Sequence, residues 1–206
     1  MSPRLAVQEL HEETLRRSLR EHRGYSVTIT GHSLGAGVAS YTAVLLQRRL
    51  GRRVKVRAFA FAPPCTLPLR ASRRLGGCWW MARRPLVDGY VYHNDLVPRL
   101  SVGSLHALLE ALELAQDPAC TDDTLARHLR RRARHPHRDA RFPPGRLTLL
   151  VPARGAPPSC RACSQRGLGL IRLQRSMLRD HGFDKYEGAL AAVCSDTHND
   201  TPRNEE

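Results

Sequence analysis

Aromatic side chains make up only 5% of this 206-residue chain, and no basic run is interleaved with them. A surface that stacks nucleic-acid bases needs rings between its cations, so that class of binder is disfavoured. Long apolar runs are missing as well. With a mean hydropathy of −0.42, no window approaches the roughly 18 consecutive apolar residues of a membrane-spanning helix, which argues against a span. Residues 1–17 mix Arg, Glu and His with single apolar residues and lack the apolar core of a secretory signal, so the chain reads as cytoplasmic. Lysine is nearly absent: Lys55 and Lys185 are the only two among 33 basic residues.

Arginine supplies the rest. Against 19 acidic residues it leaves a formal net charge of +14 and a pI near 10.7. A charge of this size invites nucleic acid or an anionic lipid surface as a partner. The arginines are scattered over nearly every segment rather than gathered on one stripe, which favours compositional bias as their cause. No nucleic-acid partner is expected; peripheral contact with an anionic membrane surface or lipid droplet stays open. The densest run, 130–138, reads as solvated surface, with contact to acidic lipid headgroups as the second reading.

Six cysteines, Cys65, Cys78, Cys120, Cys160, Cys163 and Cys194, are spread over a chain with no export signal, and free thiols are expected. Cys160 and Cys163 form one CxxC, but a structural zinc site wants four ligands and no second pair is present. The Asn199-Asp200-Thr201 sequon has no meaning without a route to the lumen.

The apolar fraction, 41%, suffices for one core. Residues 4–22 are strong helix formers, with Val7, Leu10, Leu15 and Leu19 spaced to share a face and Gly24 placed to end the helix. The β-branched run 25–30 is a strand that meets a tight turn at Gly31-His32-Ser33-Leu34-Gly35. Small residues through Ala43 then suit a helix over 34–50 that lies close to a sheet. Further strands are expected at 54–62, 87–93 and 146–151, and helices at 105–114, 121–134 and 185–194. The stretches 67–84 and 153–169 read as irregular, the first holding Trp79-Trp80-Met81, which could cover a pocket, touch lipid or pack inward. This alternation predicts an α/β fold: a mostly parallel sheet of about four strands flanked by helices, within a domain over 1–194 followed by a polar tail, 195–206.

The Gly31-His32-Ser33-Leu34-Gly35 turn carries the clearest chemistry. A serine between a strand and a helix sits on a sharp turn that pushes its hydroxyl above the sheet edge, and side chains at Gly31 and Gly35 are expected to collide with neighbouring backbone. A serine hydroxyl is a weak nucleophile, so Ser33 needs a base, and the base needs an orienting acid. The chain order serine, acid, histidine points to Asp95, at a strand's C-terminal end, and to His181, in a loop before the last helix. Asp180 competes with Asp95, but its side chain leaves the backbone in a direction diverging from that of its neighbour His181. His32 occupies an unconstrained position of the elbow.

Several motifs occur in one order: Gly31 to Gly37; Phe61-Ala62-Pro63-Pro64; His93-Asn94-Asp95-Leu96-Val97-Pro98-Arg99-Leu100-Ser101; Pro143-Pro144-Gly145-Arg146; and Met177-Leu178-Arg179-Asp180-His181 followed by Tyr186 and Leu190. Together they resemble the class 3 lipase family, particularly its diacylglycerol lipase-like members, over about residues 5–190. The resemblance implies an α/β-hydrolase fold and hydrolysis of acylglycerol or phospholipid esters through Ser33, His181 and Asp95, with the Leu34 N–H as one oxyanion donor and no metal or cofactor. Members resembling this chain carry several strands before the nucleophile strand. Only one helix stands there here, which implies a partial domain lacking its N-terminal part, with residues 25–30 as an open sheet edge. Two other functions remain in view: a noncatalytic remnant with an idle triad, and an arginine-driven binder of anionic lipid or nucleic acid.

Overall fold

The computed structural model describes residues 3–77, 85–153 and 155–199; the Trp79-Trp80-Met81 segment and residues 200–206 lie outside them. Strands β1 (Val27–His32), β2 (Val56–Phe61), β3 (Val87–Tyr92) and β4 (Arg146–Ala153) pair in that order, all parallel. A fifth strand, β5 (Ala156–Cys163), pairs antiparallel with β4 and closes the far edge. The helices are α1 (Pro3–Glu21), α2 (Leu34–Leu50), α3 (Leu69–Gly76), α4 (Val102–Ala115), α5 (Asp122–Arg134) and α6 (Phe183–Asn199). The α/β class with a mostly parallel sheet is therefore present, with one strand more than the sequence pattern indicates.

Small side chains set how closely the layers approach. Ala36 and Ala43 of α2 are fully buried against Ala58 and Ala60 of β2, with Val56 and Val87 completing that face of the sheet. The opposite face meets α6, where Tyr186 and Ala189 pack with Phe61, Tyr90, Tyr92 and Leu150. Parallel strands buried on both sides need apolar residues on both sides, and β3 accordingly exposes none of Val87, Asp88, Gly89 and Val91. The one charge in that strand, Asp88, lies between Arg57 of β2 (2.6 Å) and Arg146 of β4 (2.7 Å), so an ion cluster ties three neighbouring strands.

Three differences from the sequence reading have clear physical causes. The loop expected at 153–169 contains β5, whose Pro157 and Pro158 and mostly exposed residues give no alternating pattern; an edge strand tolerates both. Within the irregular stretch 67–84, residues 69–76 form α3, whose Gly76 lies so close to Arg146 that an added Cβ would stand 2.4 Å from the Arg146 nitrogen. The last helix starts two residues early and runs on to Asn199, so the expected boundary at Ser195 falls inside α6. Cys65, Cys120, Cys160 and Cys163 are unbridged. Cys160 and Cys163 sit three apart on β5, an odd spacing that sends their side chains to opposite faces and prevents them from clamping one metal ion. Among the described residues no helix is long and apolar enough to cross a membrane.

Candidate active site

The C-terminal ends of β1, β2 and β3 share an unusual property. The first residue past each strand, Ser33 (φ 57°), Ala62 (φ 51°) and His93 (φ 42°), has a positive φ, and these are the only non-glycine residues so placed among those described. Such conformations cost roughly 1–3 kcal/mol each and persist only where surrounding contacts enforce them. At Ser33 the enforcement is visible: its N–H donates to the Phe61 carbonyl (2.9 Å), and its own carbonyl accepts from Ala36 (3.0 Å) and Gly37 (3.3 Å) as α2 begins. Gly31 is required because a Cβ there would stand 2.2 Å from the Gly35 carbonyl oxygen. Gly35 departs from expectation: it lies on the outward side of α2, and an added Cβ meets nothing within 4 Å among the described residues.

The structure brings Ser33, His181 and Asp95 together. His181 Nε2 lies 2.9 Å from Ser33 Oγ, and its Nδ1 lies 3.1 and 3.2 Å from the two oxygens of Asp95. Asp95 is fully buried. Its Oδ1 also accepts from the Val97 N–H (2.9 Å), and its Oδ2 accepts from the Tyr186 hydroxyl (2.5 Å). Tyr186 in turn accepts from the Tyr92 N–H (3.0 Å), so the buried phenol joins β3 to the carboxylate. Burial, followed by the charge of Asp95, raises the Tyr186 phenol far above its ordinary range, and it therefore stays a donor.

Asp180, the competing acid, serves another contact. Its Oδ2 accepts from the Asn94 N–H (3.2 Å) and the Ser176 hydroxyl (2.9 Å) and lies 3.1 Å from His93 Nδ1. Together with a Leu96 N–H to Met177 carbonyl bond of 3.2 Å, this fastens the turn bearing Asp95 to the loop bearing His181. His32 fastens the elbow to the same loop. Its Nε2 lies 3.0 Å from the His181 carbonyl oxygen, and its ring lies tilted against the His181 ring at 4.8 Å between centroids. Burial, with the neighbouring His181 next, pulls its pKa below 6.5. Arg99, 1% exposed, donates to the carbonyls of His93 (3.3 Å) and Gly167 (3.2 Å), and burial lowers it to about 10.

These supporting residues escape sequence reasoning for different reasons. His32 stands at a variable letter of its motif, Asp180 looks like a rival rather than a clamp, and nothing in an Arg-rich sequence distinguishes Arg99. The Leu34 N–H heads α2, where helix N–H groups have no intrahelical acceptor. Leu34 (78% exposed), Leu178 (68%) and Phe183 (52%) leave apolar surface beside the Ser33–His181 pair. Chemically, the arrangement offers a hydroxyl that can pass its proton to an imidazole, a buried carboxylate to hold that imidazole, and an unsatisfied N–H next to the hydroxyl.

The family model described as Lipase (class 3) matches residues 4–105. Diacylglycerol lipase-beta of Mus musculus is 34% identical over 84 residues, which are 41% of this chain and 11% of that protein. Similar solved structures include a mutant form of MDLA from Penicillium cyclopium (16% identity, TM-score 0.48, covering 85% of this chain and 53% of that one). Another is the mono- and diacylglycerol lipase from Aspergillus oryzae (17% identity, TM-score 0.44, 85% and 52%). The chain thus spans a small part of its curated relative and about half of these fungal structures. Over residues 4–105, just under half of its length, the chain is similar to the class 3 lipase family.

Proposed function

We propose that this chain is a serine hydrolase that cleaves carboxylic ester bonds of acylglycerols. Ser33 is the nucleophile, His181 the general base and Asp95 its orienting partner. The reading rests above all on the continuous hydrogen-bond path from Ser33 Oγ through His181 to Asp95, with steps of 2.9 and 3.1 Å. The acylglycerol class is suggested by the likeness to diacylglycerol lipase-beta and suits the apolar surface of Leu34, Leu178 and Phe183.

Ser33 Oγ attacks the ester carbonyl carbon while its proton passes to His181 Nε2. The carbonyl electron pair moves onto oxygen, and the N–H of Leu34 donates to the oxyanion. Collapse of the tetrahedral species breaks the bond to the alcohol, which leaves with the proton from His181. Water, activated by the same imidazole, then attacks the acyl-serine and frees the carboxylic acid and Ser33. Asp95 keeps the Nδ1 proton in place throughout, and no step calls on a metal or cofactor.

A fluorescent fluorophosphonate should label the purified chain, and fatty acid should be released from a diacylglycerol emulsion. Ser33→Ala should abolish labelling and cut turnover by at least about 10⁴-fold. A folded wild-type chain that neither labels nor hydrolyses would overturn the proposal in favour of a noncatalytic remnant.

A further inference from the structure

The α4–α5 region holds a second cluster of chemistry-bearing side chains that takes no part in the Ser33 site. Gly103, in the first turn of α4, lies against the segment that follows α5, so close that an added Cβ would stand 2.4 Å from the Ala140 nitrogen. One turn further along α4, His106 therefore meets His137 and Asp139. The two imidazoles stand edge to face at 4.6 Å between centroids, and His137 Nδ1 lies 3.4 Å from Asp139 Oδ2. One ligand atom from each of the three residues lies within 4.8 Å of the others.

We propose that His106, His137 and Asp139 form a binding site for a divalent transition metal ion, with zinc as its best match. Two ligands bound tetrahedrally to zinc at about 2.0–2.1 Å lie roughly 3.3 Å from each other, close to the 3.4 Å of the His137–Asp139 pair, where the ion would replace the Asp139 N–H that His137 Nδ1 now accepts (3.2 Å). The third ligand, His106, is on an exposed helical residue, and a small side-chain rotation closes the remaining gap. Two imidazoles and a carboxylate suit zinc and, by the general affinity order, nickel and copper(II), whereas calcium and magnesium prefer all-oxygen sets. Three protein ligands leave a coordination position for water.

Binding would couple α4 to the segment that leads into β4, reinforcing the Gly103–Ala140 contact beside the Arg132–Glu110 ion pair (2.5 Å) between α4 and α5. The inference does not depend on the hydrolase reading, because none of its ligands belongs to that site.

Titration calorimetry of the 206-residue chain with zinc chloride in a non-chelating buffer tests it. One ion per chain is expected, with affinity reduced at least about tenfold in His137→Ala and in Asp139→Asn, and Tm raised by about 5–10 °C with zinc at about 100 times its Kd. Cobalt(II) read by visible absorption gives a second measurement: tetrahedral bands without a thiolate charge-transfer band fit this site. The Cys160→Ser/Cys163→Ser and His181→Ala variants should bind as wild type does. Binding unchanged in His137→Ala, binding lost with the cysteines or His181, or no one-to-one binding at all would overturn the proposal.

Discussion

Two regions of the same sheet solve opposite problems. At the C-terminal ends of β1–β3, three successive strands finish in positive-φ residues, and buried polar groups such as Asp95, Asp180 and Arg99 fill the space between the turns. At the β4–β5 hairpin the chain turns through Gly155, a residue free to take its φ of 69°, and β5 is exposed along most of its length. The first region stores strain and closes its polar contacts among themselves; the second is relaxed and meets water. Strain concentrates where side chains must be aimed, and a relaxed edge is enough where the task is only to finish a sheet.

Four substitutions sharpen that contrast. Gly31→Ala forces a Cβ into the Gly35 carbonyl and should destabilise the fold by more than about 3 kcal/mol, read as a drop in urea midpoint at constant m. Tyr186→Phe removes the donor to Asp95 and the acceptor of the Tyr92 N–H and should cost about 1–3 kcal/mol, because the Asp95 carboxylate stays fully buried. A loss under about 0.5 kcal/mol would mean that the phenol does not hold the carboxylate.

His32→Gln tests the same region by pH. The folded state keeps the His32 pKa below 6.5, whereas the unfolded chain takes up that proton near its ordinary value. More protons are then bound in the unfolded state, so stability falls as pH drops below about 6.5 towards the lower folded pKa. Denaturant midpoints of the glutamine variant should therefore fall less than wild type between about pH 7 and about pH 5. Equal slopes would remove His32 as a cause. The smallest effect belongs to the hairpin: Cys160→Ser, on the exposed edge, should change stability by no more than about 0.5 kcal/mol.

How much could be read from the sequence follows the same division. β1 is legible in its β-branched run, α2 in its small residues, and α5 in Thr121, whose hydroxyl accepts from the Thr124 N–H (3.2 Å) with Asp122 and Asp123 behind it. The first turn of α4 is not, because Gly103 and Ser104 look like a loop until Ser101 and Ser104 are seen to cap each other's backbone at 2.8 and 3.1 Å. In the site, Ser33, Asp95 and His181 stand at strand and helix ends where a motif and the chain order can find them. His32, Asp180 and Tyr186 act through contacts 86 to 149 residues apart, and no local pattern encodes such pairs.

One carboxylate has a consequence for motion. Asp180 joins the His93–Asn94 corner to the loop that begins at Ser176, so the segments presenting Asp95 and His181 share an anchor. Neither can drift on its own. Gentle warming should then leave the imidazole registered against its acid until the anchor itself melts, and function should disappear in a single step together with the native state.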